Sequence, residues 1–135
     1  MKLPTVRDFM DHEVHTLQAD AQILDAVAFL LDNQVTGAPV VAADNEIVGI
    51  LTEKDCLRLL ALGGGDAGPV SGTVADFMSR PVTSIPASMN IYFAAGMFLN
   101  DHVRRFPVTA HANSNKLVGA ITRFDILRAI RANLN

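Results

Sequence analysis

The sequence predicts an α/β (α+β) fold made of two tandem repeats packed with pseudo-twofold symmetry, each a small mixed sheet flanked by helices. Three observations predict it: one pattern occurs twice, the hydrophobic period switches in the same order within each copy, and a glycine-rich stretch separates the copies. Thr5-Val6-Arg7-Asp8-Phe9-Met10 returns as Thr73-Val74-Ala75-Asp76-Phe77-Met78, and the same spacing carries Val14 onto Val82, Ile23 onto Ile91 and Pro39-Val40 onto Pro107-Val108. Further along, Val48-Gly49 maps onto Val118-Gly119, Thr52 onto Thr122, Asp55 onto Asp125 and Leu57-Arg58 onto Leu127-Arg128, after the second copy has gained two residues between Ala110 and Asn115. Such length changes fall in loops. The expected boundaries are residues 1–62 for the first repeat, 63–72 for the linker and 73–135 for the second repeat.

Each element follows from its local pattern. Ile23, Ala26, Val27, Leu30 and Leu31 form one apolar stripe of a helix, and Ile91, Ala94, Ala95, Phe98 and Leu99 repeat it. Two short strand-like runs come next, Ala38 to Ala42 and Glu46 to Leu51, joined by Ala43-Asp44-Asn45, whose Asp and Asn tolerate tight-turn dihedrals. Phe106 to Ala110 and Lys116 to Ile121 make the matching hairpin around the longer loop His111 to Asn115. Closing helices are expected over Lys54 to Leu62 and Phe124 to Leu134. Between the copies, Gly63-Gly64-Gly65-Asp66-Ala67-Gly68-Pro69 has the composition of a flexible linker. Neither copy alone buries both faces of its sheet, which is why the two are expected to pack together.

Composition limits the function. Half of the 135 residues are hydrophobic, enough for one compact core, and a formal net charge of -3 leaves no overall basic field for nucleic acid or an anionic membrane. Cys56 is the only cysteine, so an internal disulfide and a cysteine zinc cluster are both excluded. No apolar run is long enough for a membrane span and the N-terminus has no apolar signal core, so a soluble, cytoplasmic protein is expected.

The order of leading segment, helix, Pro-Val hairpin and Val-Gly-Ile-Leu-Thr-Glu-Lys-Asp running into a helix resembles a CBS domain (the cystathionine beta-synthase domain family). The tandem arrangement, from about Thr5 to Ile130, resembles the stand-alone CBS-domain pair, a regulatory module. The resemblance implies binding of adenosine-type ligands, such as AMP, ADP, ATP or S-adenosylmethionine, in clefts between the two repeats. Such a ligand is regulatory, and no cofactor is required.

The residues of the turn suit that ligand. Thr52 and Thr122 sit where a strand gives way to a helix, the place where unpaired N–H groups favour an anion. Asp55 and Asp125, three residues on, supply carboxylates able to accept hydrogen bonds from ribose hydroxyls. The same Thr-x-x-Asp spacing also describes a capping box, in which both side chains satisfy the helix's own first N–H groups, and the two roles can coexist.

The residues before each Pro-Val differ, Val35-Thr36-Gly37-Ala38 in one copy and Val103-Arg104-Arg105-Phe106 in the other. The resemblance implies that the pocket closed by one repeat's aspartate borrows this segment from the other. Asp55 is then expected to share a cleft with Arg104 and Arg105, and Asp125 with Thr36 and Gly37. Paired guanidinium forks suit phosphate oxygens, so a phosphorylated nucleotide is expected to prefer the Asp55 cleft; the alternative is a solvated surface pair.

Other signals carry less. Gly63-x-Gly65-x-x-Gly68 matches a dinucleotide fingerprint in letters, but a helix precedes it and Pro69 follows, where that motif needs a strand before and a helix after. Asp11-His12-Glu13-Val14-His15 lacks metal-ligand spacing and reads as an exposed polar loop. No nucleophile elbow is present and nothing predicts an enzyme. The expectation is a free-standing nucleotide sensor that forms a homodimer and signals to a regulated protein of unknown identity, with no nucleic-acid or membrane partner. The alternative is a structural dimerisation module whose clefts stay empty.

Overall fold

The structure, a computed structural model, describes residues 3–63 and 71–133. The expected linker lies outside the described residues except for Gly63, Ser71 and Gly72, as do Gly65 and Gly68 of the glycine fingerprint and Leu134 of the last helix. The chain forms two compact units, one joining the segment up to Val14 with the chain from Thr83 onward, the other running from His15 to Val82.

The His15–Val82 unit holds β1 (Leu17–Gln18), α1 (Ile23–Asp32), β2 (Gly37–Val41), β3 (Ile47–Thr52), α2 (Glu53–Gly63) and the short α3 (Val74–Phe77). The other unit begins with a single 3-10 turn at Val6–Asp8 and continues with β4 (Ile85–Pro86), α4 (Ile91–Asn100), β5 (Arg105–Thr109), β6 (Leu117–Thr122) and α5 (Arg123–Asn133). Each sheet has three strands, in the orders β1-β2-β3 and β4-β5-β6. The first pair in each is parallel and the second antiparallel, so both are small mixed sheets flanked by helices, as expected. The strands β1 and β4 are two residues long, too short to leave a period in the sequence.

The helical stripes hold for four of their five positions. Ile23, Ala26, Leu30, Ile91, Ala94 and Phe98 are buried and Val27 and Ala95 pack against the two cores, whereas Leu31 is 72% exposed and Leu99 87%. The eighth step along a helix ends about 80° from its start, at the rim of a stripe centred on the other four. The turn at Ala43-Asp44-Asn45 holds Asp44 and Asn45 at φ of 60°, the left-handed conformation these residues tolerate.

Spatial units and sequence repeats exchange their leading segments. Val6 and Arg7 donate backbone bonds to Met89 and Ala87, whereas Val74 and Ala75 donate to Ala21 and Ala19, so each segment is built into the unit of the other hairpin. Each ends on the outer edge of a strand: Ile50 and Ser79 exchange bonds of 3.1 and 2.8 Å, and Ala120 and Asp11 exchange bonds of 2.9 Å.

That crossing explains two sequence signatures. Ile50 and Ala120 turn their backbone groups outward, and the residues facing them across the hairpin are Pro39 and Pro107, which have no N–H to offer. One residue earlier, a Cβ on Gly119 would lie 2.6 Å from the Asp11 carbonyl oxygen, and one on Gly49 would lie 2.5 Å from Met78 Sδ and 3.2 Å from the Ser79 carbonyl oxygen. Only glycine lets the segment approach so closely.

Candidate functional site

Each Thr-x-x-Asp turn stands where a strand edge becomes a helix: Thr52 ends β3 ahead of α2, and Thr122 ends β6 ahead of α5. Asp55 Oδ2 accepts from the Thr52 N–H at 2.9 Å and from its hydroxyl at 3.0 Å, while Thr52 Oγ1 accepts from the Asp55 N–H at 3.3 Å. Thr122 and Asp125 repeat the reciprocal pair at 2.9 and 3.2 Å. These are capping boxes.

The pattern occurs twice more, at Thr5–Asp8 and Thr73–Asp76, where the aspartates again accept the threonine N–H at 2.9 Å. Burial separates the two kinds. Asp8 and Asp76 are exposed, while Asp55 is 2% exposed and Asp125 9%. A carboxylate is taken from water at considerable cost unless it is well partnered, and both are. Ser79 Oγ donates to Asp55 Oδ1 at 2.7 Å, with the Arg58 guanidinium 3.6 Å from the same oxygen. Arg128 Nη2 donates to Asp125 Oδ1 at 3.0 Å and to the Phe9 carbonyl at 2.8 Å.

Part of the expected anion-binding capacity is already used. The Glu53 N–H donates to the Thr36 carbonyl at 2.8 Å, the Asp55 N–H to Thr52 Oγ1, and the Thr52 hydroxyl proton to Asp55. Buried acceptors next to a helix start draw in the nearest local donors.

The residues before each proline sit beside the threonine of their own unit, with Gly37 opposite Thr52 and Arg105 opposite Thr122. The two segments are held differently. Gln34, at φ of 54°, turns the chain out of α1, and Val35 N–H closes the helix on the Leu30 carbonyl at 3.0 Å. Asp101 instead leaves α4 extended, and Arg123 Nη2 donates to the Phe98 and Asp101 carbonyls at 3.4 and 3.3 Å. Arg104 and Arg105 follow this clamp and are exposed.

Sequence reasoning found the turn residues and missed Ser79, Arg58, Arg128 and Arg123. Arg58 and Arg128 stand three residues past the aspartates and were legible as i, i+3 partners. Ser79 lies too far along the chain for spacing to reveal it. Within the Asp11-to-His15 segment, Asp11 Oδ1 accepts the Glu13 N–H at 2.9 Å and the His15 ring meets Phe29 edge-on at 5.8 Å.

Cys56, next to Asp55, is half-buried, and burial first and the Asp55 charge second push its thiol above its ordinary pKa. The folded state therefore keeps the proton to higher pH than the unfolded chain. The corresponding stability is complete below the unfolded thiol's range and is lost as pH rises through the folded one. Iodoacetamide at about pH 8 is expected to alkylate native Cys56 far more slowly than the urea-unfolded chain. Equal rates would contradict the burial.

Two mixed sheets, each with a buried, capped carboxylate at the head of the helix that follows its last strand, define a class of paired α/β modules. The CBS domain family model matches residues 6–62 and again 74–132, and the chain belongs to the CBS-domain family as a tandem pair. The chain is 29% identical over 125 residues to the uncharacterized protein MJ1225 of Methanocaldococcus jannaschii, a match covering 93% of this chain and 42% of that protein. It is 27% identical to the chloroplastic CBSX2 of Arabidopsis thaliana over 93% of this chain and 63% of that protein, so it spans under two thirds of either relative. A crystal structure of CBSX2 in complex with AMP superimposes with a TM-score of 0.80 at 28% identity, covering 98% of this chain and 99% of that one. The CBS pair of MJ0100, in complex with 5-methylthioadenosine and S-adenosyl-L-methionine, shares the fold at TM-score 0.75 and 21% identity, over 97% and 98% of the two chains. Among the described residues no helix is long and apolar enough to cross a membrane.

Proposed function

We propose that this chain is a regulatory module that binds an adenosine-type nucleotide, AMP foremost, in the clefts between its repeats and passes the bound state to a partner protein. The observation that carries the reading is the AMP complex of CBSX2, alike over nearly the full length of both chains. The buried Asp55 and Asp125 carboxylates at helix starts support it.

In this reading Asp55 with Thr52 takes the ribose, and Arg104 and Arg105 take the phosphate. Asp125 and Thr122, with Thr36 and Gly37, form a second and less anion-favouring site. A ligand shifts the module only through a difference in affinity between its conformations. The protein acts without catalysis, in the cytoplasm and as a homodimer.

A thermal-shift panel of AMP, ADP, ATP, S-adenosylmethionine, NAD and cyclic dinucleotides tests the reading. AMP at a hundred times its Kd is expected to stabilise the protein by about 2.7 kcal/mol. The Arg104→Ala/Arg105→Ala variant is expected to weaken AMP by roughly tenfold or more while binding adenosine as before. No shift with any ligand would favour the dimerisation module, and unchanged AMP affinity in the double variant would remove the phosphate role.

A further inference from the structure

In both turns the inner oxygen of the aspartate, Oδ2, serves the helix start, and the outer oxygen, Oδ1, is where the two differ. Asp11 occupies in one unit the place that Ser79 holds in the other. Both follow the repeated Asp-Phe-Met and both exchange a pair of backbone bonds with β6 or β3, Asp11 with Ala120 and Ser79 with Ile50. Their side chains are opposite in kind. The Ser79 hydroxyl donates to Asp55 Oδ1 at 2.7 Å. A carboxylate at Asp11 has no proton to give Asp125, and it accepts the Glu13 N–H instead. Arg128 supplies what is missing, binding Asp125 Oδ1 at 3.0 Å and the Phe9 carbonyl at 2.8 Å with the same nitrogen.

For a ligand with two adjacent hydroxyls these are different obstacles. At Asp55 an incoming hydroxyl replaces a serine hydroxyl on the same oxygen, one O–H donor for another, and the displaced Ser79 is itself exposed and rehydrates; the half-exposed Arg58 guanidinium, 3.6 Å from that oxygen, lies beyond hydrogen-bond distance and need not be displaced. At Asp125 the incoming hydroxyl must compete with a guanidinium, a charge-assisted donor held in place by a second acceptor. We propose that Ser79, a displaceable neutral donor where the other unit has Asp11, is the specificity-determining residue that leaves Asp55 the more open of the two carboxylates to the ligand's vicinal diol, and that the Asp11 and Arg128 arrangement makes Asp125 the weaker receiver. This rests on the nucleotide reading.

Isothermal titration with AMP and 2′,3′-dideoxy-AMP tests it on the wild-type chain and on Ser79→Ala, Ser79→Thr, Asp55→Ala and Asp125→Ala. Wild type is expected to prefer AMP by about tenfold or more. Ser79→Ala removes the competing donor but keeps both backbone bonds to Ile50, so the AMP-to-dideoxy preference should rise about fivefold. Ser79→Thr, which restores a hydroxyl, should return it toward wild type. The preference should disappear in Asp55→Ala. A preference that falls or stays constant in Ser79→Ala, or that disappears with Asp125→Ala instead, overturns the assignment while the nucleotide reading stands. Failure of the wild-type chain to bind AMP overturns the nucleotide reading and this assignment with it.

Discussion

Asp55→Ala is expected to lower stability by about 2–4 kcal/mol, because its one carboxylate satisfies three donors at a buried site. The Thr52 N–H, the Thr52 hydroxyl and the Ser79 hydroxyl all lose their acceptor at once, at 2.9, 3.0 and 2.7 Å. Loss of a helix cap alone costs about 1 kcal/mol, so the larger figure depends on the two part-buried Thr52 donors left behind by a side chain that was 2% exposed, while the exposed Ser79 hydroxyl turns to water. Chemical denaturation should show a lower midpoint with an unchanged slope. Asp55→Asn keeps an acceptor for Thr52 and turns an amide toward Ser79 Oγ, which can accept, and should recover most of the loss. AMP should stabilise neither variant as it does the wild type. If Asp55→Ala is as stable as wild type, the hydrogen bonds at this turn contribute nothing net.

Phe106→Ala is expected to cost more, about 3–5 kcal/mol. Phe106 is 1% exposed, lies in β5 immediately before Pro107, and packs against Phe98 of α4 with ring centroids 4.7 Å apart and tilted by 59°. It joins sheet to helix within a core that also holds Ile85, Ile91, Val108, Ile121 and Ile126. Truncation therefore removes both the burial of a large side chain and the ring contact, and the surrounding strands cannot collapse into the space. Phe106→Leu should cost roughly half as much. The position matching Phe106 in the other repeat is Ala38, buried at 3% exposure, so that core is filled by other residues and the two repeats are not interchangeable in packing. A urea titration of Phe106→Ala with a loss under about 1 kcal/mol would show that the space closes after all.

Much of the fold was legible because each repeat states it independently. The stripes of α1 and α4, the Pro-Val strands β2 and β5 and the helix starts after Thr52 and Thr122 rest on local periods and turn chemistry, and these survive folding. The hairpin strands each begin within one residue of their expected start, and the one-residue offset is common to both copies. The strands β1 and β4 were hidden by their shortness. Leu31 and Leu99 fit the helical period and yet are exposed, because periodicity reports a direction on the helix and not how wide a surface covers it.

The sequence by itself determined that one α/β unit occurs twice, that each copy ends in a threonine and an aspartate at the head of a helix, and that Arg104 and Arg105 have no counterpart in the first copy. Periodicity and short-range turn chemistry carry that information, and both act over a few residues. Only the tertiary structure decided which of the four Thr-x-x-Asp boxes hold buried carboxylates, because burial depends on what packs over a turn and the capping threonine and aspartate are the same in all four. It also decided that each leading segment joins the other hairpin's unit, and so that Ser79 meets Asp55 while Asp11 takes the matching place near β6. Residues separated by tens of positions meet only when long-range strand pairing brings them together, and no local pattern encodes that pairing.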